Sequence, residues 1–264
     1  MKNTLVTLLI TSICSISFGN TQVDSLFQVL RKTKNDSVKA NIYELIAINY
    51  RESQKDTAFY YNQKAIDFAN LSKNYYSIAI AYREYALTAQ ANDDYPLAVS
   101  YYQKALKTFE SAKNKEEAAN INNDLGVVYY YAGDYEQAKI YFEKSGIQRI
   151  EIGDSIGAGQ SFNNTGIMCD ISGNPTGALK LYIRALTIYE SAKDTALQIG
   201  TMTNIGLIYF GQKNYVDALK IYEKQQFLAK KINNKKPPVM KNRLKFWPSL
   251  TELQTTWTMK GSVS

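Results

Sequence analysis

Ile121-Asn122-Asn123-Asp124-Leu125-Gly126-Val127-Val128-Tyr129-Tyr130-Tyr131-Ala132-Gly133-Asp134-Tyr135-Glu136-Gln137-Ala138-Lys139-Ile140-Tyr141-Phe142 is the stretch that decides the fold. Shifted by forty positions in either direction, its skeleton returns. Ala138 becomes Ala58, Ala98, Ala178 and Ala218, and Gly126 becomes Ile46, Ala86, Gly166 and Gly206. A fixed period over five copies means one supersecondary unit stacked on itself, so the chain is read as an array.

Aligned on the alanine, the copies run 39–78, 79–118, 119–158, 159–198 and 199–232. The mostly small eighth position suits a close crossing of two helices, with the alanine expected on the other side of that crossing. One turn after the alanine come Asn62, Tyr102, Phe142, Tyr182 and Tyr222, on the same helical face. In Gly133-Asp134 and Gly173-Asn174-Pro175 a glycine ends one helix, an Asp or Asn caps the next, and Pro175 fits the first helical position. Lys113-Asn114, Gly153-Asp154 and Lys193-Asp194 mark the outer loops. The predicted unit is helix, tight turn, helix, short loop, and the predicted fold is all-α, a right-handed α-solenoid of stacked antiparallel helix pairs. Val23, Leu26, Phe27 and Leu30 have helical spacing, so residues 20–38 are expected to form a capping half-repeat.

Leu-Gly, then Tyr, Gly-Asp-Tyr, Ala, Tyr/Phe and Ala resembles the tetratricopeptide repeat over residues 39–232. The period is longer than the family's usual ~34 residues. The family's first-helix Trp is replaced by Ile42, Tyr82, Asn122, Phe162 and Met202, and the Pro that often closes a unit is absent. The first copy diverges most, with Lys55 and Asn62 where the others carry Tyr or Pro and aromatics. The array is similar to the exported repeat regions of bacterial signalling proteins.

That resemblance implies a superhelix whose first helices line a concave groove that binds protein or peptide. Carried onto this sequence, the groove positions are Tyr43, Tyr50, Arg51, Arg83, Gln90, Asn123, Asp124, Tyr130, Tyr131, Asn163, Asn164, Asp170, Thr203, Asn204 and Phe210. Asn offers a peptide backbone both donor and acceptor, and Tyr adds contact area with a hydroxyl. The same Asn residues could instead tie neighbouring helices together. No concentration of Lys or Arg stands there to capture a C-terminal carboxylate.

The net charge of +7 is misleading. Residues 20–230 balance 23 basic against 23 acidic side chains; the excess lies in Lys2 and in seven basic residues after 230. No basic stripe marks a nucleic-acid surface. Met1-Lys2-Asn3, an apolar run from Leu5 to Ile16 and Ser17-Phe18-Gly19 read as a signal peptide, 1–19, cleaved after Gly19. No later segment has membrane-spanning length, so an exported, periplasmic protein is expected. Cleavage would leave Cys169 alone, as a small core residue rather than a reactive thiol.

The chain contains no histidine, which removes the commonest general base and metal ligand. Gly153-Asp154-Ser155-Ile156-Gly157-Ala158-Gly159 lacks the Lys-Ser/Thr and the preceding strand of a phosphate loop, and reads as an inter-repeat loop. Asp93-Asp94 and Glu116-Glu117 suit helix starts. No catalytic residue, cofactor or metal site is expected.

A sixth copy would put its small residue near 246 and its alanine near 258, where Phe246 and Thr258 stand. Lys235-Lys236-Pro237-Pro238 breaks the pattern, and Trp247 and Trp257 follow. Residues 233–264 are thus a non-repeat basic tail, native or produced by a reading-frame change near Lys236. The two expected functions are an exported, non-enzymatic protein-binding scaffold, and the truncated sensor portion of a membrane signalling protein (histidine kinase, cyclase or transcription regulator) without its output domain.

Overall fold

From Asn74 to Asn214 every twentieth residue is Asn or Asp: Asn74, Asp94, Asn114, Asp134, Asp154, Asn174, Asp194 and Asn214. In the computed structural model, which describes residues 19–233, a helix starts directly after each. The side-chain oxygen accepts a backbone N–H of the new helix's first turn, as Asp134 does from Gln137 and Asn174 from Gly177. Such a cap contributes about 1 kcal/mol. The residue before each cap lies at positive φ: Lys73, Asp93, Lys113, Gly133, Gly153, Gly173, Lys193 and Lys213. That left-handed turn lets the Gly133 N–H reach Tyr130 O and the Asp134 N–H reach Tyr129 O, closing the helix end. The local period is therefore one helix plus one turn, half the spacing of the repeated alanines. The tight turn and the outer loop expected from the sequence are the same turn.

Eleven helices form among the described residues, with no strand. They are α1 Gly19–Lys32, α2 Asp36–Tyr50, α3 Lys55–Ser72, α4 Tyr75–Ala91, α5 Tyr95–Ser111, α6 Lys115–Tyr131, α7 Tyr135–Glu151, α8 Ser155–Ile171, α9 Pro175–Ser191, α10 Thr195–Gly211 and α11 Tyr215–Asn233. Consecutive helices pair as an α-solenoid does, and the pairs begin four residues ahead of the copies aligned from 79, 119, 159 and 199. Residues 1–18 and 234–264, on which the signal-peptide and tail readings mainly rest, lie outside the described residues. No described helix is long and apolar enough to cross a membrane.

The described residues divide into two compact units, one ending at 188 and the other beginning at 189. In the first, α2 packs on α3, α4 on α5, and α6 on α7 and through it on α8; α2 also touches α4. Val23 of α1 is buried with Ile42 and Ile46 of α2, ringed by Leu26, Phe27, Leu30 and Tyr61. In the second unit, α10 packs on α11.

Each pair is built on a size exchange. A Cβ placed on Gly126 would stand 2.6 Å from the Phe142 ring, and one on Gly166 2.6 Å from the Tyr182 ring. In the second unit a Cβ on Gly206 would lie 2.5 Å from Tyr222. Where the first helix carries the large Ile46, the second carries the small Asn62, also fully buried. The ring one turn after the alanine sits on the glycine. A flat aromatic face fills the space that a missing side chain leaves and buries more apolar area than a methyl group would. The alanines are nonetheless buried, Ala58, Ala98 and Ala138 completely.

Gly153-to-Gly159 also differs from expectation. Only Gly153 lies in a turn; Gly157 and Gly159 are inside α8. At Gly157 the Arg149 guanidinium and the Asp154 carboxylate lie where a side chain would start.

Candidate functional site

The first helices of the first unit are α2, α4, α6 and α8, and their facing residues are tied across the pairs. Arg51, at the end of α2, forms an ion pair with Glu84 of α4, and its Nε donates to Thr88 Oγ1 at 3.3 Å. Arg83 of α4 donates through Nε to Asp124 of α6 at 2.8 Å. Thr88 Oγ1 also accepts from Asn62 Nδ2 at 2.7 Å and donates to the Glu84 carbonyl. Beside this ladder the hydroxyl of fully buried Tyr102 donates to Gln90 Oε1 at 3.1 Å.

Burial controls the protonation of these groups. It holds the Asp124 carboxyl above its ordinary range, while the Arg83 guanidinium pulls it back. Burial likewise pushes the Tyr102 phenol well above its usual value. The largest effect falls on Glu44 of α2. It is only 6% exposed, its Oε1 has no hydrogen-bond partner, and burial together with the Glu84 charge pushes its pKa to about 8.

The residues expected in the groove separate into three groups. Arg51, Arg83, Gln90, Asn123 and Asp124 come together in or beside the ladder; a hydrogen bond from Asn123 favours the Asp124 carboxylate. Tyr43 and Tyr50 turn instead toward α3. Tyr43 stacks on Phe68 at 5.4 Å and on Tyr61 at 6.1 Å, and Tyr50 stacks on Tyr61 at 6.0 Å. Both therefore hold the first pair together.

Tyr130 and Tyr131 are open, at 38% and 59% exposure, edge to face with each other. Tyr135 of α7, 38% exposed, tilts against Tyr130, and Tyr95 lies close to Tyr131. On α8, Asn163 and Asn164 are half-buried and Asp170 is exposed. In the second unit Thr203 accepts from Gln225 Nε2 at 2.6 Å, and Phe210, half exposed, lies edge-on to Tyr215. Asn204 is half-buried and makes polar contact of its own.

The sequence reading missed Glu44, Glu84, Tyr95 and Tyr135. The period carried the signal for the first two: Glu44, Glu84 and Asp124 stand one repeat apart. Tyr95 and Tyr135 share a position directly after the caps Asp94 and Asp134.

Among the described residues no group of three His, Cys, Asp or Glu side chains could hold a metal ion. Cys169 is buried, and desolvation pushes its thiol pKa up, against thiolate formation. A cleft of about 660 Å³ opens at the turns before α6 and α8, lined by Tyr75, Lys113, Lys115, Glu116 and Asp154, none of them part of the ladder.

Helix pairs repeating through shared turns, with polar and aromatic side chains on the first helices, define a helical-repeat protein. The tetratricopeptide repeat pattern matches residues 77–145. Residues 77–145 thus form a tetratricopeptide-repeat segment within an array of like helix pairs. Solved structures of the same fold include BtubC (BKLC) from P. vanneervenii, at TM-score 0.72 and 16% identity over 84% of this chain and 95% of that one. A putative kinesin light chain of Podosopora anserina matches at TM-score 0.64 and 13% identity, over 76% of this chain and 99% of that one. A signal-transduction ATPase with a tetratricopeptide repeat sensor from Pyrococcus horikoshii matches at TM-score 0.69 and 16% identity, over 79% of this chain and 33% of that one. No curated protein matches the chain.

Proposed function

We propose that the first-helix face of residues 36–171 binds a peptide segment of another protein and performs no chemistry on it. The observation that carries this reading is the open aromatic cluster of Tyr130, Tyr131 and Tyr135, on the same set of helices as the ladder of half-buried charges. Half-exposed tyrosines offer large apolar area at low entropic cost together with a hydroxyl for the partner's backbone, the usual composition of a binding hot spot. The polar first-helix residues around them, Gln90, Asn123 and Asn163, can meet peptide amides. Phe210 and Thr203 are the corresponding residues of the second unit.

The scaffold acts after export, in the periplasm. The basic start, apolar run and small residues of 1–19 support this. Intact-mass analysis of periplasmic extract tests it: the expected species begins at Asn20, and a cytoplasmic, uncleaved chain would overturn it.

A second reading has its own support in the loss of the repeat period after Lys236. In it the array is the sensor portion of a membrane signalling protein. Sequencing the gene past codon 264 in all frames decides between the two. A resumed period followed by a membrane helix and an output domain would establish the sensor.

For the binding face, partners captured on the immobilised chain are compared with those held by Tyr130→Ala/Tyr131→Ala. Loss of the partner with unchanged helicity is expected. Retention of the same partner at the same affinity would refute the assignment.

A further inference from the structure

The ladder has a direction. At each step a carboxylate on one first helix meets a guanidinium from the first helix before it. Arg51 of α2 reaches Glu84 of α4, and Arg83 of α4 reaches Asp124 of α6. Glu44 holds the same place one period earlier, on α2. The only described helix before α2 is α1, and its span falls one period ahead of a second helix: Lys32 stands one full repeat before Ser72, the end of α3. Among the described residues, then, nothing occupies the first-helix place that would deliver a cation to Glu44.

The carboxylate bears the marks of that mismatch. It is more than nine-tenths buried, Oε1 has no hydrogen-bond partner, and its charged neighbour is another carboxylate, Glu84. Both guanidinium groups of the ladder are already committed, Arg51 to Glu84 and Thr88, and Arg83 to Asp124. Glu44 meets its deficit by keeping a proton, so the set holds two carboxylates against two guanidiniums, and a guanidinium that docks on Glu44 displaces that proton. A buried acceptor without a partner carries a desolvation penalty that an incoming charged donor removes.

We propose that Glu44 is the receptor for a guanidinium or ammonium group of a basic partner peptide, which lies along α2 and continues the ladder by one step. This rests on the peptide-binding reading of the first-helix face and names the chemistry of its ligand. A guanidinium suits the place better than an ammonium, because its planar fork can bind both carboxylate oxygens at once.

The test uses the full chain and two capped, fluorescein-labelled peptides, acetyl-(Ala-Ala-Arg-Ala)3-amide and the same peptide with citrulline for arginine. Binding is followed by fluorescence anisotropy at 150 mM salt. The arginine peptide is expected to bind at least tenfold tighter than its uncharged isostere. Glu44→Gln should bring the two within about twofold, and Asp67→Asn, at an exposed carboxylate of α3, should leave the ratio unchanged.

Glu44→Asp keeps the charge and should keep a preference for arginine; thermal melts of each variant establish that it is folded. An unchanged ratio in Glu44→Gln, or an equal loss in Asp67→Asn, would overturn the proposal in favour of diffuse charge attraction. Tyr130→Ala/Tyr131→Ala separates the two readings. It should weaken both peptides alike and leave their ratio intact. The ratio therefore reports on Glu44, and the shared affinity on the tyrosine face.

Discussion

Gly126 sits inside α6, where an alanine would normally be preferred. In an open helix interior Gly→Ala contributes about 1 kcal/mol of stability, because the unfolded chain loses freedom and the helix does not. At Gly126 the new methyl carbon would meet Phe142 Cδ1 and Cε1 at 2.6 Å and Cγ at 2.9 Å. Carbon atoms rest at about 3.5–4.0 Å, so the ring or the helix must retreat by about 1 Å. The contact includes the root of the ring as well as its tip, and Phe142 is itself buried, so rotation about one side-chain bond does not relieve it.

Overpacking of this kind costs about 1–3 kcal/mol, and three close contacts put Gly126→Ala near the top of that range. With the helical gain set against it, a net loss of about 2 kcal/mol is expected, or about 4–8 °C in Tm for a chain of this size. Gly200, in α10, has nothing within 4 Å of the same methyl position, so Gly200→Ala should gain up to about 1 kcal/mol. Urea melts followed by helical circular dichroism measure both. Phe142→Leu should rescue Gly126→Ala, with a coupling of about 1 kcal/mol or more in the double-mutant cycle. A Gly126→Ala protein as stable as the parent, or one that Phe142→Leu fails to rescue, would show that the ring does not set the spacing of the pair.

Glu44 makes stability fall with rising pH: the folded chain keeps a proton up to about 8 that the unfolded chain releases near 4.5. Its favourable contribution is thus complete below about 4.5 and is lost as pH rises through 8, at up to about 1.4 kcal/mol per pH unit. Thermal melts from pH 5 to 9 should show Glu44→Gln gaining on the parent up to about pH 8 and levelling off above it, and parallel curves throughout would contradict the burial of this carboxyl. Arg83→Met leaves Asp124 without its guanidinium; because both side chains keep some solvent contact, at 30% and 18%, the expected cost is about 2 kcal/mol rather than the roughly 3–5 kcal/mol of a fully buried pair. A loss under about 0.5 kcal/mol in urea melts, the range of an exposed ion pair, would reduce the ladder to a surface pair. Lys113, at φ 58, is a non-glycine residue in a left-handed turn, so Lys113→Gly should stabilise the chain by about 0.5–1 kcal/mol, whereas Gly133→Ala, at φ 80, should destabilise it by a similar amount.

The array was legible because its period is written in positions that tolerate few residue types. A glycine under an aromatic ring and an alanine one turn before it survive in copies whose other residues have changed. The same constraint made the caps legible, yet Asn74, Asp94 and their successors recur at half the interval of the core pattern. The two helices of a pair bury different faces but end in the same turn. A period taken from the core hides the shorter one.

The site was harder to read, for a related reason. Position along a first helix fixes which way a side chain starts, but not what it meets. Tyr43 and Tyr131 both fell on groove positions, and their surroundings divide them. Tyr43 has Tyr61 and Phe68 of α3 within stacking distance. Tyr131 has an open edge, because Gly133 and Asp134 turn the chain just beyond it.

The charges follow the same logic. Glu84 and Asp124 are answered by arginines 33 and 41 residues away in sequence, so no local pattern could pair them. After Asp124 the same position carries Asn164 and Asn204, and the arginine places carry Asn123 and Asn163. An ion pair buried between helices needs both partners or neither, since one alone leaves a charge without solvent or counter-ion. The array obeys that rule at Glu84 and Asp124, where both charges are kept, and at Asn164 and Asn204, where both are absent. Glu44 is the step that keeps the carboxylate without its cation. That mismatch is what singles it out as the place where a partner's positive charge belongs.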